Sequence, residues 1–313
     1  MFPFVEKRRI AYIVVGVILL AGIISYFAHG FKLDIQFQGG TEIKYTMKDA
    51  NFNTEKAQSV ISEAINKSVS VVSSKNFEGT MNYMVVRVAS EQTLTAPEIL
   101  KVQTELNNAG FIVNVDPQIT NINPSIGAEI MRNGILAVFF ALLLIIIYIA
   151  FRFKAISGWS AGVIASIAIL SDALLMISVY LIFSISLNES FIAGVLTVIG
   201  YSINDKIIIY DRIRENSTGR KKGSNVEIVN LSIFQTLTRS INTALTAIMS
   251  LAVVFILSTM FQISSVAQFA FPMIIGVAFG CLSSIFIAGP MLGAYKEANA
   301  KNNARGTTSK SRR

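Results

Sequence analysis

Long apolar runs separated by short polar turns dominate this chain, with one amphipathic interval in its first half. Residues 10–28 are apolar throughout, and residues 129–151, 158–183, 189–213, 239–261 and 266–291 are dominated by apolar residues, interrupted by a few polar ones. Each run is long enough to cross a hydrocarbon core as a helix of about 20 residues. Between the first two runs, in residues 29–128, apolar and polar positions alternate and charges of both signs mix. Residues 33–45 (LDIQFQGGTEIKY), 69–74 and 83–89 carry the period of two that marks strands. Residues 55–66 and 97–108 have helical spacing, the second opened by Thr95 and Glu98 as a capping box. Residues 111–118 give a last strand. The order β-α-β-β-α-β predicts a ferredoxin-like α+β domain. Within the first strand region, Gly39–Gly40 predicts a bulge or tight turn, set by backbone geometry without a ligand.

Charge orients the runs. Lys7, Arg8 and Arg9 precede the first, Arg152 and Lys154 follow the second, and Arg212, Arg214, Arg220, Lys221 and Lys222 follow the fourth. Lys296, Lys301, Arg305, Lys310, Arg312 and Arg313 follow the sixth. Six spans put all of these on one side, which the positive-inside rule makes cytoplasmic. The expectation is an α-helical protein of the cytoplasmic membrane with six transmembrane helices and one extracytoplasmic ferredoxin-like domain. Both termini are inside: residues 1–9 before the first span and a disordered basic tail at 292–313. Residues 10–28 exceed a signal-peptide core of 7–15 residues, so a retained anchor is expected. In the cytoplasmic loop 214–238, Ser224 and Glu227 form a second capping box. Val226, Val229, Ile233 and Leu237 there predict a short amphipathic helix along the membrane surface.

Composition narrows the function. Of 313 residues 52% are hydrophobic and 15% charged, which suits a membrane protein rather than a soluble domain. The net charge of +8 lies in short loops beside apolar runs, so nucleic-acid binding is not expected. Cys281 and His29 are the only cysteine and histidine. An intrachain disulfide is impossible, a His/Cys metal site has no ligand set, and neither metal nor cofactor is expected. No Ser-His or Cys-His set is available near the membrane core, so no enzyme is expected either.

Two spans carry the chemistry. In residues 195–215, VLTVIGYSINDKIIIYDRIRE, the residues Thr197, Tyr201, Ser202, Asp205 and Arg212 form a polar stripe at helical spacing. An Asp at the centre of a spanning helix costs about 3 kcal/mol on insertion scales, so it marks a functional candidate. In residues 235–250, QTLTRSINTALTAIMS, a second stripe holds Arg239, Asn242, Thr243, Thr246 and Ser250. The two stripes are expected to face each other, with Asp205 and Arg239 at similar depth toward the cytoplasmic side. Asp205 is then either a proton carrier with Arg239 as mobile counter-charge, or half of a fixed ion pair that sets helix register. Tyr201, Ser202, Asn204, Asn242 and Thr243 supply hydrogen bonds to the site or simply pack. Asp172, deep in the third span, joins the relay or bonds a neighbouring helix. Lys206, Arg212 and Arg214 are expected to snorkel to headgroups. Gly276, Gly280, Ser284 and Ala288 form a small-xxx-small packing face, a candidate seam with another subunit.

The stretches GYSINDKIIIYDRIREN (200–216), QTLTRSINTALTA (235–247) and LDIQFQGGTEI (33–43) resemble the SecD/SecF family, and the likeness covers nearly the whole chain. It implies half of a resistance-nodulation-division-type bundle, completed by the six spans of SecD. It further implies a partnership with the SecYEG channel, with YajC and SecA as further candidates. The complex would act on unfolded preprotein chains using the proton motive force, among membrane lipids. Asp205 and Arg239 match the family's proton-pathway residues. Two departures stand out: a His-Asp pair common in the third span is Ser171–Asp172 here, and Lys206 replaces a small polar residue. Competing readings are a proton-coupled small-molecule or lipid exporter of the same superfold and a non-transporting assembly scaffold.

Overall fold

A computed structural model describes residues 2–47, 52–75, 81–89, 93–111, 117–218 and 224–310. Six helices are long and apolar enough to cross a membrane, over Arg8–His29, Gly127–Arg152, Gly158–Ile182, Glu189–Thr218, Asn225–Met260 and Ser264–Asn302. The first is α1 (Arg8–His29), which ends where Gly30 takes a positive φ of 70° and returns its N–H to the Tyr26 carbonyl.

The chain then enters a small α+β domain. The expected strand at 33–38 is instead one helical turn, α2 (Ile35–Gln38). Asp34 caps it by accepting the Ile35 N–H, and Gly39 at φ 79° stops it. Local capping thus overrides the alternating pattern, and the glycine pair takes the tight-turn alternative, joining the helical turn to the strand. Gly40 opens β1 (Gly40–Met47) at φ 146°, where a Cβ would strike the Val88 carbonyl.

The helices α3 (Thr54–Ile65) and α4 (Ala96–Asn108) flank β2 (Val69–Lys75) and β3 (Asn82–Ala89) in sequence, and β4 (Gln118–Ile122) closes the sheet. The strand order is β2-β3-β1-β4 with every pairing antiparallel, the ferredoxin-like arrangement. Its core is one cluster, in which Ile43, Tyr45, Met84, Val86 and Val88 of the sheet meet Ala57, Ile61, Val102 and Leu106 of the helices. The last strand lies later than expected; most of 111–118 falls outside the described residues, and pairing starts at Gln118, opposite Lys44.

Five further helices complete the bundle: α5 (Pro124–Arg152), α6 (Gly158–Ile182), α7 (Glu189–Thr218), α8 (Asn225–Met260) and α9 (Ser264–Ser283). A π-helical segment, Ser284–Ala288, joins α9 to α10 (Gly289–Lys310). Small residues set the close approaches. Gly162 of α6 packs under the Ile146 backbone of α5, and Gly22 of α1 packs on Ser178 of α6. Several hydrogen bonds tie the α+β domain to the bundle, among them a pair between Gln36 and Glu189. Asp34 N–H donates to the Leu187 carbonyl and Leu187 N–H to the Lys32 carbonyl, both at 2.8 Å. Ser73 Oγ meets Gln262 Oε1 in the α8–α9 turn at 3.2 Å.

Two expectations for the polar ends are corrected. Residues 226–237 form no separate surface helix, because they are the first turns of the continuous 36-residue α8. Their apolar face packs on protein, with Val229 and Ile233 buried beside Ile209, Ile213 and Leu292. The tail from 292 is helical to Lys310 rather than disordered. Leu292 is buried and Gly293 lies against Val5 and Val229, so packing on the bundle anchors the start of this helix. The basic residues Arg220, Lys221, Lys222, Arg312 and Arg313 lie outside the described residues.

Candidate functional site

At the middle of the bundle, α7 presents Ser202, Asp205 and Lys206 to the interior, and all three are fully buried. Ser202 and Lys206 are one helical turn apart and share a face. Opposite them on α6 is Asp172, also fully buried. Lys206 Nζ lies 3.2 Å from Asp172 Oδ2, and Ser202 Oγ donates to the same oxygen at 2.7 Å. The ammonium also donates to Ser202 Oγ at 2.6 Å, to Ser283 Oγ at 2.9 Å and to Ser284 Oγ at 3.4 Å. A single ammonium therefore joins α6, α7 and the start of the π segment. Gly280, one turn earlier on α9, leaves room for Ser202, and Gly276 does the same for Val198 and Met176. The small-residue face of α9 thus packs within this chain.

The snorkelling expectation fails for Lys206. Asp172 on α6, Ser202 on its own helix, and Ser283 and Ser284 at the junction of α9 with the π segment offer a carboxylate and three hydroxyls, so the charge is compensated inside. Arg212 and Arg214 near the end of α7 are half-exposed. Arg212 donates to Gln235 Oε1 at 2.7 Å, and Arg214 pairs with Asp211 at 2.7 Å.

Asp205 differs from Asp172. Neither of its carboxyl oxygens has a hydrogen-bond partner, and among the described residues it forms no ion pair. Tyr201, one turn before it, has a buried hydroxyl in the same condition, and so has Ser240 of α8. A buried ionised carboxylate without a partner is costly, so charge on Asp205 calls for a proton or for a cation brought to it. Lys206 cannot take that role in this arrangement, because it is held by Asp172.

Arg239 is exposed, and the expected ion pair with Asp205 is not formed. Nor do the two polar stripes seal against each other. On α8 Arg239, Asn242, Thr246 and Ser250 are exposed and Thr243 is half-buried; on α7 Thr197 and Asn204 are exposed. The hydroxyls of Thr243, Thr246 and Ser250 turn back to the carbonyls of Arg239, Asn242 and Thr246 in their own helix. Polar crossing between α7 and α8 occurs lower down, where the Asn216 amide meets Ser232 Oγ at 2.8 Å and Gln235 Oε1 at 2.9 Å. The site is thus a closed ion pair beside an unpartnered acid, next to a polar face that points out of the chain.

Sequence spacing missed the roles of Lys206, Ser283 and Ser284. The signal was present in the Ser202–Lys206 spacing and in two adjacent serines within an apolar run. Among the described residues, no group of three His, Cys, Asp or Glu side chains is placed to hold a metal.

Residues 101–298 match the family described as protein export membrane protein SecD/SecF, C-terminal. The protein translocase subunit SecF of Alicyclobacillus acidocaldarius is 31% identical, over 97% of this chain and 96% of its own length. The protein translocase subunit SecDF of Bacillus subtilis is 31% identical over 97% of this chain, which spans only 39% of that longer protein. Among solved structures, SecDF from Thermus thermophilus, described as a translocon-associated membrane protein, matches with a TM-score of 0.74 at 27% identity. That match covers 94% of this chain and 38% of the other.

Proposed function

The chain belongs to the SecD/SecF family of protein-export membrane proteins, and from that membership we propose that it is a proton-coupled accessory subunit of the Sec machinery. In this reading a SecD chain supplies the other half of the bundle. The fused relatives, in which a chain like this one is about two-fifths of a longer SecDF protein, support that pairing. The pair works beside the SecYEG channel in the cytoplasmic membrane, with the α+β domain outside and both termini inside. It draws on the proton motive force to move preproteins outward, and it acts as a transport subunit rather than as an enzyme.

The observation that carries the mechanism is Asp205, buried without a partner beside the polar face of α7 and α8. A proton entering from one side neutralises it. Arg239, already on that face, supplies the counter-charge when the helices rearrange and the proton leaves. One charge moving through 100 mV contributes about 2.3 kcal/mol, enough to bias two helix packings of similar energy. In this reading Asp172, held against Lys206 and Ser202, ties α6 to α7.

The test is gradient-driven export in cells or membrane vesicles. Asp205→Asn is expected to lower preprotein release to the level seen without a gradient, and Asp205→Glu to keep part of it. An Asp205→Asn variant that exports at the normal gradient-dependent rate removes the proton role and leaves a scaffold.

A further inference from the structure

Alongside α1, on the outer side of the helix wall that carries Ser283, lies a groove of about 270 Å³. Ala11, Val14 and Ile18 of α1 form one wall; Phe279 and Leu282 of α9 and Phe286 of the π segment form the other. Every other lining residue is apolar except Ser283 and, at one end, Lys7. We infer that this groove holds one acyl chain of an anionic phospholipid, with the lipid phosphate against Lys7.

Shape and lining select the occupant. From Ile10 to Ile18 the groove follows eight residues of helix, ~12 Å at 1.5 Å per residue. Its walls are apolar along that length, and the one cation stands at its end, the layout of an acyl chain below a charged headgroup. Charge selects the headgroup. Lys7 is exposed and forms no ion pair among the described residues, and Arg9 is exposed two residues on. Lys7 Nζ sits 4.7 Å from the centre of the Phe2 ring, which props it at the groove's end. Arg8 is occupied with the Val5 carbonyl at 2.7 Å, and the nearby carboxylate of Glu6 is held by the Asn230 amide at 2.9 Å. A free cation thus stands where a hydrocarbon slot meets the polar boundary, and an anionic lipid satisfies both.

The inference is independent of the export reading, because it concerns binding alone. Purified full-length chain in mild detergent is titrated with dioleoylphosphatidylglycerol or dioleoylphosphatidylcholine and read by native mass spectrometry. The phosphatidylglycerol adduct is expected to be retained several-fold over the zwitterionic one. Lys7→Gln is expected to cut that preference by about five-fold, one cation's worth at an anionic surface. Lys154→Gln, a cation away from the groove, is expected to leave it unchanged. Ala11→Phe fills the slot and is expected to displace both lipids. Equal retention of the two lipids by the unmodified chain overturns the proposal, as does an unchanged preference in Lys7→Gln. A photoreactive group at position 11 that captures protein instead of lipid in native membranes does the same. Lys7 is exposed, so its variant folds and that arm stands even where Ala11→Phe does not.

Discussion

At the residue scale, one lysine decides how the site is wired. Lys206 is placed where the family resemblance anticipates a small polar residue, and its position near the cytoplasmic end of a span invites a snorkelling assignment. The competing outcome wins because Asp172, Ser202, Ser283 and Ser284 converge on it from α6, α7 and the π segment. Linear sequence could not reveal this, since the three segments are far apart along the chain and only packing brings them together. Removing one member of a buried ion pair strands the other charge, at a cost of about 3–5 kcal/mol. Lys206→Met is therefore expected to lower thermal stability in detergent by about that much, while Asp172→Asn combined with Lys206→Met recovers most of the loss. A double-mutant cycle with no coupling between the two positions contradicts the pairing. Asp205, by contrast, was legible from sequence as a charge inside a span. Its lack of a partner was not, because Arg239 lies on the exposed side of α8.

At the element scale, packing and capping explain which expectations held. The β-α-β-β-α-β order was readable from alternation and from the Thr95–Glu98 box, yet 33–38 misled because Asp34 and Gly39 convert an alternating segment into a capped turn. The same box sets a pH response. Glu98 accepts from Lys67 at 2.7 Å and from the Thr95 N–H and hydroxyl at 2.9 Å, and these bonds hold its carboxyl down at about 2 against an ordinary 4.5. A depressed carboxyl stabilises the fold above its unfolded value and loses that contribution as pH falls from about 4.5 toward 2. Amide exchange in the first turn of α4 is expected to accelerate across that window, and Glu98→Gln to abolish the pH dependence while weakening the cap at all pH. In the bundle, a side chain at Gly276 meets Val198 and Met176 at under 3 Å. Gly276→Val is expected to wedge α9 from α7 and cost about 1–3 kcal/mol by thermal unfolding. A variant as stable as the parent shows that this seam gives way easily.

At the scale of the whole molecule, the unresolved question in the sequence was which way the polar stripes point. Helical periodicity places Thr197 with Asn204, and Asn242 with Thr246, but two stripes of like polarity satisfy the pattern equally well by meeting each other or by facing a third surface. The fold answers through exposure: α8 packs Ala244 and the partly buried Leu237, Ala247, Ile248 and Leu251 on the bundle core and leaves the stripe outside, beside exposed Ile241, Leu245 and Met249. Back-bonding covers the hydroxyls, but the Asn242 amide and the Arg239 guanidinium gain nothing from lipid. A surface of that kind in a spanning bundle needs a protein against it, and a SecD half is the partner that the fused relatives supply. In a Cys281→Ala background, a cysteine placed at Asn204 or Asn242 is expected to react with a small maleimide when this chain is produced alone. Co-production with SecD is expected to suppress that reaction several-fold, with a cysteine at exposed Leu100 in the α+β domain labelled equally in both cases. Unchanged labelling at Asn204 and Asn242 in the presence of SecD puts the partner on another face, and Arg239 then has no route by which an assembled complex delivers it to Asp205.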